Sequence, residues 1–131
     1  MDEHSQAYKD FMRSDEAKGL QRGREFGIGD WYIPCPERPE PRLIKNRLDM
    51  SCRRVDWIKL PSLFQLIRII EGAGYDVSST WSWRTGERQH RYVAMRPEEN
   101  GLPYCYIESS WETDRMLAAA KLAARAVEGK G

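Results

Sequence analysis

A basic stretch interleaved with aromatic side chains is the part of the sequence most suited to chemistry. Its candidate binding residues are Trp83, Arg84, Arg88, His90, Arg91 and Arg96, with Trp81 and Tyr92 among them. Guanidinium groups beside aromatic rings can hold a phosphate, a nucleobase or an acidic protein surface. The segment that follows is acidic, with Glu98, Glu99, Glu108, Glu112 and Asp114. The basic stretch is therefore either a binding site or the positive half of a set of charges that neutralise each other across adjacent strands.

A catalytic reading of the sequence depends on His90. A general base must lie within hydrogen-bond reach of a nucleophile and an orienting group. Cys105 on a neighbouring strand is the candidate nucleophile, and Glu108 or Asp76 is the candidate orienting group. We find no glycine-rich phosphate loop between a strand and a helix, and no pattern that predicts a cofactor.

The three cysteines, Cys35, Cys52 and Cys105, are widely spaced and form no CxxC pair. This pattern favours free thiols in a reducing compartment over a disulfide framework, and it predicts no metal site. The chain has 21 Lys and Arg against 20 Asp and Glu, a net charge of +1. That balance produces no global field toward nucleic acid or an anionic membrane. No apolar run is long enough to span a bilayer, so we expect a cytoplasmic protein without a membrane partner.

The basic stretch lies on a predicted β-hairpin from Tyr75 to Arg96, with its turn at residues 85–88. Alternation places Tyr75, Val77, Trp81 and Trp83 on one face, which we expect to form the core beneath two helices. A third strand is predicted over residues 104–109. The second and third strands also carry apolar residues on their other face. We expect the proline-rich segment or a partner to cover that face.

Helices are predicted on both sides of these strands. Pro61 suits the first turn of a helix that runs to about Glu71, and Gly72 and Gly74 follow it. The last helix spans residues 114–128, and its many alanines allow its axis to approach the sheet closely. The predicted fold class is α+β, with a two-layer α-β-β-β-α core around a three-stranded antiparallel sheet.

Residues 1–60 are expected to precede this core in three parts. An N-terminal arm, residues 1–30, is either mobile or contains a docked helix from about Gln6 to Lys18. Residues 31–41 hold four prolines and are predicted to form an extended strap. Residues 42–59 are locally basic and end in a predicted edge strand near Trp57. Residues 31–131 are thus expected to form a single domain, with the strap and edge segment over 31–60 and the core over 61–131.

Two family resemblances arise from the core. The block from Leu63 to Val127, which ends in TDRMLAAAKLAARAV, resembles small α/β sandwich domains encoded by bacteriophages. That resemblance implies an accessory phage protein, from a class that includes proteins acting on host machinery or defence. The same order of elements is similar to the double-stranded RNA-binding domain, with Gly86 before His90-Arg91-Tyr92 and AAAKLA at residues 118–123. Where that family opens its last helix with lysines, this chain has Glu112 and Asp114.

Three functional hypotheses follow in order of preference. The first is a small non-enzymatic binding protein, of phage origin, that occludes a site on a host protein or complex and acts in the bacterial cytoplasm. The second is a nucleic-acid or nucleotide-binding module that uses the basic hairpin. The third is a small enzyme that uses His90 and Cys105.

Overall fold

The computed structural model describes residues 4–21, 26–34, 40–48, 57–101 and 103–128. Two three-stranded antiparallel sheets and the helices packed on them form the fold, so the predicted α+β class is confirmed. The helices within the described residues are α1 (Gln6–Met12), α2 (Lys18–Gln21), α3 (Leu63–Gly72) and α4 (Arg115–Glu128). A 3₁₀ turn at Asp15–Ala17 precedes α2. The strands are β1 (Trp31–Ile33), β2 (Arg42–Leu43), β3 (Ile58–Leu60), β4 (Asp76–Arg84), β5 (Glu87–Arg96) and β6 (Cys105–Glu108).

The larger sheet has the strand order β4-β5-β6 and is built on the predicted hairpin. Thr85 and Gly86 connect β4 to β5, and both have positive φ, 51° and 79°. Positive φ at both central residues is the requirement of a two-residue type I′ turn, whose twist matches that of the strands. The turn is therefore shorter than residues 85–88, since Glu87 and Arg88 already pair within the hairpin.

Helix α4 is the centre of the main core. Eight of its residues are buried, six of them alanines. Helices α1, α2 and α3 contact α4, and strands β5 and β6 contact it as well. Asp114 immediately precedes α4, and its carboxylate accepts a hydrogen bond from the backbone N–H of Met116 at 2.9 Å. A carboxylate at this position satisfies one of the free N–H groups at the positive end of the helix.

Of the two alternatives for the N-terminus, the structure shows a docked helix, but α1 ends at Met12 and not near Lys18 as expected. Ser5 caps α1 by accepting a hydrogen bond from the N–H of Tyr8 at 3.1 Å, and its hydroxyl donates to the Asp114 carboxylate. The Tyr8 hydroxyl donates to the buried carbonyl oxygen of Pro61 at 2.8 Å. The N-terminal residues in the main core are Tyr8, Phe11, Met12, Ala17 and Leu20.

The prediction that Trp81 and Trp83 form the core beneath the helices is wrong. Both share the face of Val77, but their side chains are 52% and 69% exposed. The main core includes Tyr75 and Val77 but no later residue of β4. The helices cover only the first half of β4, and the hairpin extends beyond them.

The prediction of a single sheet is also wrong, because residues 31–60 contribute a second one. Its strand order is β2-β1-β3, so Trp31–Ile33 is a central strand instead of the start of a strap. A separate buried cluster accompanies this sheet, in which the rings of Tyr32 and Trp57 stack with centroids 3.9 Å apart. The edge strand expected near Trp57 falls mostly on residues outside the described ranges, and the edge strand that the structure shows next to it is Ile58–Leu60. The proline strap over 35–39 and the basic residues over 49–56 lie outside the described residues.

Candidate functional site on the large sheet

The large sheet has two distinct faces. The main core takes Val77, Tyr92, Ala94 and Ile107 from one face, which we call the helix face. Side chains alternate along a strand, so the intervening residues lie on the opposite face, which we call the open face. The pairs Trp81 with His90 and Trp83 with Arg88 belong to the helix face. The pairs Thr80 with Arg91 and Arg84 with Glu87 belong to the open face.

This alternation divides the six residues predicted to bind a partner. Arg88, His90 and Trp83 lie together on the helix face, beyond the end of the core. Arg96 is on the same face but six residues from His90, about 20 Å along a strand at 3.3 Å per residue. Arg84 and Arg91 lie on the open face. The sheet therefore brings together two smaller groups and not one basic cluster.

On the helix face, each arginine lies over a ring. The Arg88 guanidinium carbon is 4.4 Å from the centroid of Trp81, and that of Arg96 is 5.3 Å from the centroid of Tyr75. Burial lowers the pKa of the His90 imidazole, and the positive charges of Arg115 and Arg88 lower it further. His90 is therefore neutral at pH 7 and adds no charge for a phosphate.

The candidate catalytic pair is not assembled. The backbone of His90 pairs with Glu112, through N···O distances of 2.7 and 2.9 Å. Cys105 pairs with Arg96, six residues further along β5. The Cys105 thiol instead lies 3.5 Å from the Tyr75 hydroxyl. Asp76 pairs with Met95 on the open face, so it does not orient His90 either.

Trp111 lies on the open face beneath two arginines. Because it follows the end of β6, no alternating pattern predicts its position. The guanidinium carbons of Arg84 and Arg91 lie 5.0 and 4.7 Å from the centroid of its indole ring. Arg91 also forms an ion pair with Glu108, with Nη1 and Oε2 3.3 Å apart. Cation–π contacts of this kind hold both arginines against the sheet, and the charge of Arg91 is in addition paired with Glu108.

Large apolar side chains extend the open face toward β6. Tyr104, Tyr106 and Met95 are 58%, 46% and 41% exposed. The Tyr106 hydroxyl donates to Glu108 at 3.1 Å, and this hydrogen bond raises the pKa of Tyr106. We call this surface the aromatic face and define it by Arg84, Arg91, Met95, Tyr104, Tyr106 and Trp111.

Much of the acidic segment is paired within the chain. Glu108 is paired with Arg91, and Glu112 accepts hydrogen bonds from Lys121 at 2.5 Å and from Ser110 at 2.7 Å. Partial burial opposes ionisation of Glu112, but these two hydrogen bonds outweigh it, and the pKa of Glu112 is lowered. The ion pair of Arg91 with Glu108 is of the cross-strand kind that the neutralising alternative predicts, whereas Glu112 is paired with Lys121 of α4.

A groove of about 370 Å³ lies between the end of β6 and α4. Its cations are engaged by the chain itself, since Lys121 binds Glu112 and Arg125 donates to the Glu108 carbonyl oxygen at 2.6 Å. The described residues contain no group of three or more His, Cys, Asp and Glu suited to a metal ion. No helix in the described part of the chain is long and apolar enough to cross a membrane.

Comparison of the chain with protein-family models, with curated proteins and with solved structures finds no match.

Proposed function

We propose that this chain is a non-enzymatic protein-binding domain whose aromatic face covers a site on a partner protein. The observation that carries the proposal is the exposure of Met95, Tyr104 and Tyr106 on a sheet face that supplies nothing to the main core. Aromatic residues, Met and Arg are enriched where proteins meet, and Trp, Tyr and Arg dominate the energy of such contacts. A contiguous exposed apolar patch with a polar border is typical of a binding surface.

A protein partner fits the charges of this face better than a nucleic acid. Arg91 is paired with Glu108, and Asp76 adds a second carboxylate to the same face. Phosphates are recognised by unopposed positive charge, and carboxylates close to the arginines repel them. Arg88 and Arg96, which lie on the helix face, are out of reach of a ligand bound to the open face.

The partner we propose is a host protein or complex in a bacterial cytoplasm, bound so that one of its own sites is occluded. The resemblance of residues 63–127 to phage-encoded domains supports this choice, and a counter-defence role is the specific form of it. Occlusion needs no catalytic group, which agrees with the separation of His90 from Cys105.

Affinity capture from a bacterial lysate tests the proposal with three forms of the chain. Wild type and Phe64→Ala are expected to retain the same partner, because Phe64 is 68% exposed on α3, away from the aromatic face. Tyr104→Ala with Tyr106→Ala is expected to lose it, with affinity reduced about tenfold or more for two anchor residues. Equal capture by the double variant would contradict the proposal.

The second candidate function is single-stranded nucleic-acid binding, favoured by the arginines that lie over Trp81 and Trp111. It predicts a gel shift at low salt that weakens steeply as salt rises. Arg88→Gln and Arg91→Gln act on opposite faces, so the variant that weakens the shift identifies the face used. A shift absent at low salt removes this candidate.

A further inference from the structure

The outer edge of β4 is an unusually regular edge strand. It is nine residues long, its register with β5 is unbroken, and within the described residues no strand pairs with its other side. Edge strands in natural proteins are normally short or are blocked by Pro, Lys, a bulge or a covering segment. Strand β6 fits that description, since it has four residues and Arg125 binds the Glu108 carbonyl oxygen. Strand β4 has no proline, lysine or bulge.

The hydrogen bonds of β5 identify which groups of β4 point outward. The N–H and C=O of His90 bond to Glu112, on the side of β5 away from β4. Backbone groups alternate sides along a strand, so Arg91 and its partner Thr80 bond to each other. The residues of β4 that present N–H and C=O to its outer edge are therefore the odd-numbered ones, Val77, Ser79, Trp81 and Trp83.

The sequence of β4, DVSSTWSWR, can pair with itself. Two copies of the strand are placed side by side and antiparallel, with the two Thr80 residues opposite each other. Asp76 then lies opposite Arg84 of the partner subunit, and Ser78 lies opposite Ser82 of the partner subunit. On the helix face, Val77 meets the partner's Trp83 and Ser79 meets the partner's Trp81. Each of these last two pairs joins residues whose backbone groups point outward, which is what an antiparallel ladder requires.

We propose that β4 pairs with β4 of a second copy of this chain about a two-fold axis at Thr80, which joins two large sheets into one of six strands. Opposite charges and aromatic with β-branched pairs directly across a ladder stabilise the pairing. The contact is isologous, so each of these pairs occurs twice. It also accounts for the exposure of Trp81 and Trp83 in the single chain, because the second strand and its side chains cover them.

This inference goes beyond the proposed function and does not depend on it. A two-fold axis perpendicular to the sheet leaves equivalent faces of the two copies on the same side. The aromatic faces of both copies would then form one surface with two equivalent binding sites.

Sedimentation equilibrium of the full chain, with circular dichroism to verify folding, tests the pairing. Wild type is expected to be a dimer. Ser79→Pro removes an N–H that points to the outer edge and leaves every hydrogen bond between β4 and β5 in place. Proline is tolerated in a strand when its N–H side faces solvent. This variant is expected to be a folded monomer, and Ser79→Ala, the matched control, to remain a dimer.

A charge exchange provides a second test that does not rely on proline. Asp76→Arg places two arginines opposite each other at both ends of the contact and is expected to raise the dimer Kd about tenfold or more. Asp76→Arg combined with Arg84→Asp restores opposite charges and is expected to restore the dimer. A monomeric wild type overturns the proposal. So does a dimer whose Kd is unaffected by Asp76→Arg, whether or not Ser79→Pro folds.

Discussion

Gly19 of α2 lies so close to Val127 of α4 that a Cβ on Gly19 would stand 2.9 Å from Cγ2 of Val127. Helix α2 can therefore approach the last helix this closely because residue 19 has no side chain. This contact joins two segments at opposite ends of the sequence in one core.

Gly19→Ala is expected to lower the free energy of unfolding by about 1 kcal/mol, because overpacking outweighs the better helix propensity of alanine. Gly72→Ala is the matched control, since Gly72 is also helical and has open space around its Cβ position. It is expected to raise stability by about 0.5 kcal/mol. Urea unfolding measures both. In a Val127→Ala background, Gly19→Ala should lower the free energy of unfolding by less. If the loss is the same in both backgrounds, the close contact with Val127 does not cause the destabilisation.

Tyr8→Phe is expected to destabilise the chain by about 1 to 2 kcal/mol, because the Pro61 carbonyl oxygen loses its buried donor. Burial and the negative charge of Asp114 raise the pKa of Tyr8. Above about pH 10 the unfolded state releases a proton that the folded state retains, so stability falls as pH rises. Between pH 8 and 11, the free energy of unfolding should decrease less steeply with pH for Tyr8→Phe than for wild type. Exposed Tyr104→Phe should follow wild type, and equal slopes for all three would contradict this assignment.

The sequence predicted best the elements whose signals are local. The hairpin from 75 to 96 has clear alternation, and α3 lies between Pro61 and Gly74. The helix begins at Leu63, after a capping box at Ser62 and Gln65, so Pro61 precedes its first turn instead of lying in it. Each appears close to where these signals place it.

The errors concern how far one element extends over another. Alternation correctly gives Trp81 the same face as Val77, but no local pattern tells where the helices above that face end. The second sheet was missed because β1 and β2 are too short to show a period, and their pairing depends on contacts distant in the sequence. The distance between His90 and Cys105 follows from strand register, which a one-residue change in a loop would alter.

Glu112 links the end of the sheet to α4, and its loss should be visible as a change in acid stability. The lowered pKa of Glu112 means that its contribution is complete above the unfolded value of 4.5 and is lost as pH falls through the folded value. Glu112→Gln is expected to cost about 1 kcal/mol at pH 7, since the pair is partly exposed to solvent. In thermal melts between pH 3 and 7, the melting temperature of this variant should fall less steeply with decreasing pH than that of wild type. Glu98→Gln, at an exposed position, is the control and should follow wild type. If Glu112→Gln also has the same pH dependence as wild type, the assignment is refuted.

Truncation of Trp57 should loosen the second sheet more than the large sheet, although Ile33 and Leu60 also tie β1 and β3 to the main core. Trp57 is buried in the cluster of Phe26, Tyr32 and Ile44, which is separate from the main core. Trp57→Ala removes the ring that stacks on Tyr32, at a cost of about 3 to 5 kcal/mol. Local unfolding follows the cluster that loses its contacts. Hydrogen exchange is therefore expected to accelerate in Trp31–Ile33 and Ile58–Leu60, while β5 remains protected.

Trp57→Phe keeps an aromatic ring in the same cluster and should restore most of that protection. The informative comparison is between the amides of β1 and those of β5 in Trp57→Ala. If both lose protection equally, the two sheets unfold together, and the cluster around Trp57 is an extension of the main core instead of an independent one.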